Sequence, residues 1–388
     1  MKPFGFSDRY VKWSFFSMVS AVLENKVWMM DRGGGFLYPT MYVLLVGGPG
    51  YYKTTTAERA VYDCLLPIST DAEGPWFGPS IASPAAMVHI FRANNSKNIL
   101  NKFLSSPMFV YAGEFNTFYR DIGGGEMTID LLNFFDPKPP GVAWKKSTVK
   151  DGDLEVISPA LTILGCTTQK NIADSKMLQI CGTGIISRFI FVVEPKKPKG
   201  DRTGYSIKGH PTLAKIQNRL RKIREMRGPL LTSPHAEGVI NKLEDSVETW
   251  FTANPAETLY SSYMARRNTH VRKLAMILSV LDKNTGIIDV EDLEQADAFM
   301  SEIEKDIPTA FTPIVLKDDP NLMDKIFRRI PAEGITLSAL LQVFVQDSQA
   351  VPLDNAFIGA VNGLVARGDI VQTSNAKTGI ATYVRIKK

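Results

Sequence analysis

Apolar residues crowd residues 7–30, SDRYVKWSFFSMVSAVLENKVWMM, which predicts one helix with Ser7 as its N-cap. Short apolar runs at Tyr42–Val46, Met108–Phe115, Ala160–Gln169 and ahead of Val193 predict buried strands. Between and after them come predicted helices: Thr54 to about Leu66, Pro84–Arg92 capped by Ser83, Met127–Phe135, Pro211–Arg227 and His235–Asn254. Tyr260–Asp282 repeats its apolar positions at three and four, and Asp289–Ile303 carries acids in a first turn where they suit the helix dipole. Asp31–Gly35, residues 67–80 and Gly123–Gly125 read as turns or loops. Residues 142–160 read as a β-hairpin turning at Asp151-Gly152. Past KDDPN (Lys317–Asn321), the order is helix (Leu322–Arg329), short helix (Leu337–Phe344), helix (Asn355–Arg367) and two strands. That order is a winged helix.

Strands alternating with helices predict an α/β fold. The expected divisions are an N-terminal helical segment (1–36), a core (37–200), an all-helical lid (201–316) and the winged helix (322–388). At 388 residues the chain has room for two or three domains. A hydrophobic content of 44% and a charged content of 22% are ordinary for a globular protein. The longest apolar run is far short of the roughly 18–20 residues of a membrane span, so no membrane partner and a cytoplasmic location are expected. Cys64, Cys166 and Cys181 lie far apart and read as reduced core thiols; His89, His210, His235 and His270 are scattered. A net charge of +5 permits nucleic-acid binding without demanding it. Eleven Lys or Arg against two acids stand between Pro195 and Gly228, as a solvated basic helix or a nucleic-acid face.

The candidate chemistry begins at YVLLVGGPGYYKTT (Tyr42–Thr55). A buried strand, a glycine-rich turn (Gly47, Gly48, Pro49, Gly50), Tyr51 and Tyr52, then Lys53, Thr54 and Thr55 opening a helix, have the layout of a phosphate-binding P-loop. Backbone N–H groups cradle an anion, the lysine reaches the β- and γ-phosphates, and the hydroxyl sits on Mg²⁺. The pattern G-x-x-x-x-G-K-[ST] fits from Gly47 except that Tyr52 replaces the second glycine. Tyr52 is therefore expected in a conformation that glycine usually supplies. VYAGEF supplies Glu114 at a strand end, as candidate base and metal partner beside Thr54, with Gly113 where an aspartate would be usual. Thr168, at the next strand tip, is a candidate for orienting the attacking water. Arg188 could reach a γ-phosphate across a subunit interface, and equally suits a surface ion pair. Trp144, Lys145, Lys146 and Lys150 on the hairpin suit a nucleic-acid backbone, and equally a solvated surface.

Taken together with LENKVWMM, NFFDPKPPGVAWKK, SPALTILGCTTQKNI, GIISRFIFV and HVRKLAMILSVLD, these segments resemble one family over roughly residues 8–305. It is the phage and mobile-element P-loop ATPases linked to primases, relatives of the AAA+ replicative helicases. The resemblance implies an AAA+-like ATPase core, ATP and Mg²⁺ as cofactors, and a ring, hexameric, with single-stranded DNA in its channel. It implies phosphate and Mg²⁺ binding by Lys53 and Thr54, water activation by Glu114, and a first sensor at Thr168. Arg188 resembles the trans-acting finger, Arg272 or Arg267 the second sensor, and the basic hairpin a pore hairpin. It also implies a bacterial host and a separate primase or polymerase partner. A slowly hydrolysing DNA-binding loader or scaffold is the alternative, favoured by Gly113 and Tyr52; a metabolite kinase is the third.

Overall fold

Four strands with almost entirely buried side chains lie parallel in one sheet, so their sequences run apolar rather than alternating. The fold is mixed α/β, from a computed structural model that describes residues 6–31, 33–69, 77–80, 84–100, 105–119, 126–139, 141–148, 152–174, 184–198, 211–253, 259–282, 286–307, 322–348, 368–374 and 381–386, with Phe357, Ala360, Val361, Leu364 and Val365. It forms two compact units, residues 1–168 with 180–307, and 169–179 with 308–388. Of the segment expected as a helical lid (201–316), residues 201–307 fall in the same unit as the sheet.

In the first unit α1 (Asp8–Leu23) is followed by β1 (Val27–Met30), β2 (Phe36–Leu37) and β3 (Tyr42–Val46). Next come α2 (Lys53–Glu58), a π-helical stretch (Arg59–Leu65), α3 (Leu66–Ser69), α4 (Pro84–Leu100), β4 (Ser106–Ala112), α5 (Phe115–Phe118) and α6 (Glu126–Phe135). The hairpin β5 (Ala143–Thr148) and β6 (Gly152–Ile157) leads into β7 (Pro159–Thr167). After α7 (Gln169–Asp174), which belongs to the second unit, come β8 (Phe189–Val193), α8 (Pro211–Arg224), β9 (Gly228–Pro229), β10 (Leu231–Thr232), α9 (Pro234–Ala253), α10 (Leu259–Met264), α11 (Arg267–Asp282), β11 (Ile287–Ile288) and α12 (Val290–Glu304). The second unit continues with α13 (Leu322–Phe327), β12 (Ile335–Thr336), α14 (Leu337–Ser348), β13 (Ile370–Ser374) and β14 (Ala381–Arg385).

The main sheet runs β4-β7-β3-β8, with Tyr42 opposite both Ile163 and Phe189, and Val46 opposite both Thr167 and Val193. Phe77 adds a parallel bridge to Phe109 at the β4 edge, inside a stretch expected as loop. The chain leaves β3, crosses to β4, returns to β7 and ends on the far side at β8. The carboxyl end of β3 is therefore where the crossovers diverge, the place where open α/β sheets hold ligands. Helix α1 lies against this sheet: the Ser20 hydroxyl donates to Pro39 O and pairs with Thr162.

The predicted helix 7–30 is two elements. It stops at Leu23 because Glu24 takes a left-handed φ of 56°, and Val27–Met30 then pairs with Phe36–Leu37 and with Gly228–Pro229. Glu24 and Lys26 are buried as a pair at 3.2 Å, and the Asn25 amide donates to Ser158. These tertiary partners override a stretch with no glycine or proline to break it.

The last described pair of the hairpin is Thr148 opposite Gly152 (φ 65°), and Asp151 of the expected Asp151-Gly152 turn lies outside the described residues. In the second unit β12, β14 and β13 form an antiparallel sheet, and Ile326, Leu340, Phe344, Phe357, Val361, Leu364 and Ile370 share its core. Most of the predicted helix 355–367, the turn at 123–125 and the linker 317–321 lie outside the described residues. Among the described residues, no helix is long and apolar enough to cross a membrane.

Candidate functional site

The glycine-rich loop starts where β3 ends, and the end of β3 is held from both sides. Gly47 N–H donates to Thr167 O at 3.3 Å, which ties the loop to the tip of β7. From α1, the Tyr10 hydroxyl donates to Val46 O at 2.7 Å, and Arg9 donates to Val193 O at 3.0 Å. A Cβ at position 47 would lie 2.2 Å from the Tyr10 hydroxyl, so a larger residue there would push Tyr10 off Val46 O.

Within the loop Tyr51 N–H turns back to Gly48 O, and Gly50 has φ 75°. Tyr52 sits at φ 58°, ψ 16°, the left-handed conformation expected for the residue that replaces glycine. It is the residue from which the helix starts: Tyr52 O accepts from both Thr56 N–H (2.9 Å) and the Thr56 hydroxyl (2.7 Å). Its ring meets Phe6 edge-on at 6.1 Å, and Arg59 lies over Phe6. Lys53 folds back over the loop, with Nζ 3.5 Å from Gly48 O. A second cation, Lys197, ends 3.4 Å from where a Cβ on Gly50 would lie. Pro49 and Thr55 belong to the same loop and helix start.

The end of β4 faces the start of α2. A Cβ on Gly113 would stand 3.7 Å from the Thr54 methyl and 3.1 Å from the Tyr111 hydroxyl. Glu114 follows as an exposed side chain at the start of α5. Thr54 hydrogen-bonds the Cys166 thiol of β7, which burial pushes up to about 12, so it stays protonated. Thr167 Oγ1 donates to Asn116 Oδ1 at 3.3 Å, and Thr168 is half-buried one residue further on. The structure thus brings Lys53, Thr54, Glu114 and the Thr167–Thr168 tip to one edge of the sheet. Tyr10, Tyr111, Cys166 and Lys197 join them. Sequence reading missed these four, and only Lys197, in a basic run, carried any signal.

Arg188 lies at the other end. It precedes Phe189, which faces Tyr42, while the loop follows Val46. At about 3.3 Å per residue, the strand separates Arg188 from its own loop by roughly 15 Å. The guanidinium is largely buried, donates to Gly184 O (2.9 Å) and Asp136 Oδ2 (3.3 Å), and leaves Nε without a partner. Arg266 donates to the same Asp136 oxygen at 3.0 Å, so two arginines share one carboxylate. Phe135 carries Lys273 over its ring at 3.6 Å, and burial pushes that ammonium down to about 7. His270 is held neutral, its pKa lowered to about 3 by burial, and its Nε2–H donates to Ser187 O at 2.7 Å. That bond fixes the turn carrying Arg188.

The two arginines expected as second sensors have other partners. Arg267 donates to Glu304, Asp297 and Ser301, and Arg272 donates to Asp31 at 2.6 Å. Both are buried in unit-one ion pairs, whereas the neighbouring Arg266 keeps about a third of its side chain exposed. On the hairpin, Trp144 is buried against Phe134 at 5.2 Å and offers no open face for a base. Lys146 is paired with the buried Asp130 at 3.0 Å. Lys145 is the exposed lysine of the pair, 3.5 Å from Glu155, and Lys150 lies outside the described residues.

No family model matches the chain, and neither does any curated protein.

Proposed function

We propose that the chain is an ATP-driven DNA helicase or translocase of a phage or mobile-element replication system. Gly47–Thr54 serves as its P-loop, within an AAA+-like core that assembles as a hexameric ring around single-stranded DNA and works with a separate primase or polymerase. One observation carries this reading. A glycine-rich loop at the switch point of a parallel sheet puts Tyr52 in the left-handed conformation, folds Lys53 back over the loop and sets Thr54 against the strand end that precedes Glu114. The exposed Lys145 and the second unit, read as a winged helix, supply the DNA-facing parts of the proposal.

The reading implies Mg²⁺, and the residues fit it. Thr54 stands against Gly113, the residue before Glu114, and beside them the Tyr111 hydroxyl is buried without a partner. Among the described residues no group of three or more His, Cys, Asp or Glu could hold a metal, so Thr54 and Glu114 would share the ion with nucleotide phosphates and water, as Mg²⁺ usually requires. Bound there, Mg²⁺ would neutralise charge on the β- and γ-phosphates. Lys53 would bind the same phosphates, Glu114 would take the proton of the attacking water, and Thr168 would orient that water.

The deciding experiment is ATP hydrolysis with and without single-stranded DNA, for the wild type and Glu114→Gln. DNA-stimulated turnover that vanishes in the variant is expected. Nucleotide-dependent assembly on DNA without turnover would move the reading to a loader or scaffold, which the missing carboxylate at Gly113 favours. A DNA-indifferent enzyme would refute both.

Arg188 serves the neighbouring subunit's nucleotide in this reading, because its own loop is a strand-length away. The expected result for Arg188→Ala is loss of hydrolysis with ATP binding intact. Folding should survive, since Asp136 keeps Arg266. Mixing Arg188→Ala with Lys53→Ala subunits should restore part of the activity, because each lacks a different half of the shared site. Absence of any recovery, or loss of ATP binding by Arg188→Ala alone, would place the arginine's role within one subunit.

A further inference from the structure

At the strand end next to Thr54, position 113 has no side chain, yet the space is not empty. A Cβ built on Gly113 would meet the Tyr111 hydroxyl at 3.1 Å, tighter than nearly all real contacts, and the Thr54 methyl at 3.7 Å. The phenol of Tyr111 therefore fills the place that a side chain at 113 would enter. Its oxygen is buried and has no hydrogen-bond partner in the protein. A buried hydroxyl without a partner is costly, and the uncommon native examples call for an explanation, a bound group among them. Glu58 and Glu114 bring negative charge near the phenol, and Cys166 and Tyr62 are its other titratable neighbours. Cys166 in turn hydrogen-bonds Thr54 and feels Lys53, so the phenol belongs to the same cluster as the loop. The Tyr62 ring, on the π-helical stretch that continues the loop helix, holds the Tyr111 ring edge-on at 6.1 Å. π-Helical turns inside helices are frequent at functional sites.

We propose that the Tyr111 hydroxyl takes the part of the side chain missing at Gly113, accepting a hydrogen bond from the hydrated Mg²⁺ of the bound nucleotide. This rests on the P-loop reading of Gly47–Thr54. Burial raises the phenol's pKa, so it stays neutral. A neutral phenol is a poor direct ligand for a hard cation but a good partner for a water on it. Tyr111 is thus a positioning residue. It would hold the ion less tightly than a carboxylate, which makes a modest Mg²⁺ affinity part of the expectation.

The test is a Mg²⁺ titration of fluorescent-ATP binding to the full chain, with EDTA as baseline, for the wild type, Tyr111→Phe, Tyr111→Phe with Gly113→Asp, and Lys53→Ala. Tyr111→Phe removes one oxygen and no packing. It should raise the Mg²⁺ concentration for half-maximal effect about 3–10-fold, the worth of one hydrogen bond. Binding in EDTA should stay unchanged. Thermal unfolding of the nucleotide-free variant should be unchanged or higher, because an unsatisfied hydroxyl is gone. The double variant should recover the wild-type Mg²⁺ requirement or better, since removing the phenol oxygen frees the space for the aspartate. An unmoved Mg²⁺ curve, with nucleotide binding lost in Lys53→Ala, would overturn the role of Tyr111 and leave the loop reading standing. A shifted curve that the double variant does not rescue would overturn it too, as would equal losses in EDTA. Nucleotide binding by Lys53→Ala at wild-type strength would overturn the loop reading, and the role of Tyr111 with it.

Discussion

Replacing Lys53 with alanine is expected to lower ATP turnover by ~100-fold or more, the scale of losing a charge that faces developing phosphate charge. Thermal unfolding should stay where it was. The structure separates these effects. The Lys53 ammonium reaches one loop carbonyl at 3.5 Å, a contact too long to contribute much to folding. What holds the loop lies elsewhere: the Gly47–Thr167 bond, the Tyr10 hydroxyl on Val46 and the Thr56 bonds to Tyr52. None of these uses the lysine side chain. An alanine variant therefore keeps the loop and loses the cation. Steady-state ATPase assays and a melting curve on the same preparation check both halves. Full activity in the variant would end the P-loop reading. Lost activity with a collapsed melting curve would show that Lys53 is a structural group whose position over the loop is incidental.

The loop was legible because its signals are local. Glycines, a lysine and a threonine within eight residues, behind an apolar run, define the turn without knowledge of the rest of the chain. The conformation of Tyr52 followed from what a glycine does at that position. The parallel strands were legible for a similar reason, since only a strand buried on both faces reads as continuously apolar. What failed depends on partners far away in sequence. Nothing in residues 7–30 announces that Glu24 turns left-handed, because the groups around Glu24 and Asn25 include Arg224, Arg227 and Ser158. Trp144 and Lys146 looked open on a hairpin, yet Phe134 and Asp130 on α6 take them up. Strands β9 to β11 are two residues each, too short for any period. Tyr111 had no signal beyond being an aromatic residue in a strand, and its interest comes from an unpartnered oxygen beside Gly113.

Arg267→Ala is expected to destabilise the first unit by about 3–5 kcal/mol, the scale for removing one partner of a buried ion pair. The guanidinium gives Nε to both Glu304 oxygens at 3.0 and 2.9 Å, and its other nitrogens to Asp297 at 2.7 Å and the Ser301 hydroxyl at 2.9 Å. Arg267 is 8% exposed and Glu304 is 12% exposed. Burial by itself would lower the arginine's pKa, but Glu304 and then Asp297 outweigh it and hold it above the usual value. Alanine would leave the Glu304 carboxylate buried with only the Tyr263 hydroxyl, at 2.9 Å, to satisfy it. The pair also joins the start of α11 to the end of α12, so the loss falls on the contact between two helices. The buried partner sets Arg267 apart from Arg188, whose partner Asp136 is 43% exposed and keeps Arg266 when Arg188 turns to a phosphate. The measurement is a urea titration of wild type, Arg267→Ala and Arg266→Ala, followed by ATPase on whatever remains folded. A large drop in midpoint for Arg267→Ala, with Arg266→Ala close to wild type, would assign Arg267 to the helix pair. It would leave Arg266, about a third exposed beside Arg188 on Asp136, as the arginine of this helix start that is more open to a phosphate. A stable Arg267→Ala variant with lost ATP turnover would reverse the assignment, because only a nucleotide contact could then explain the loss.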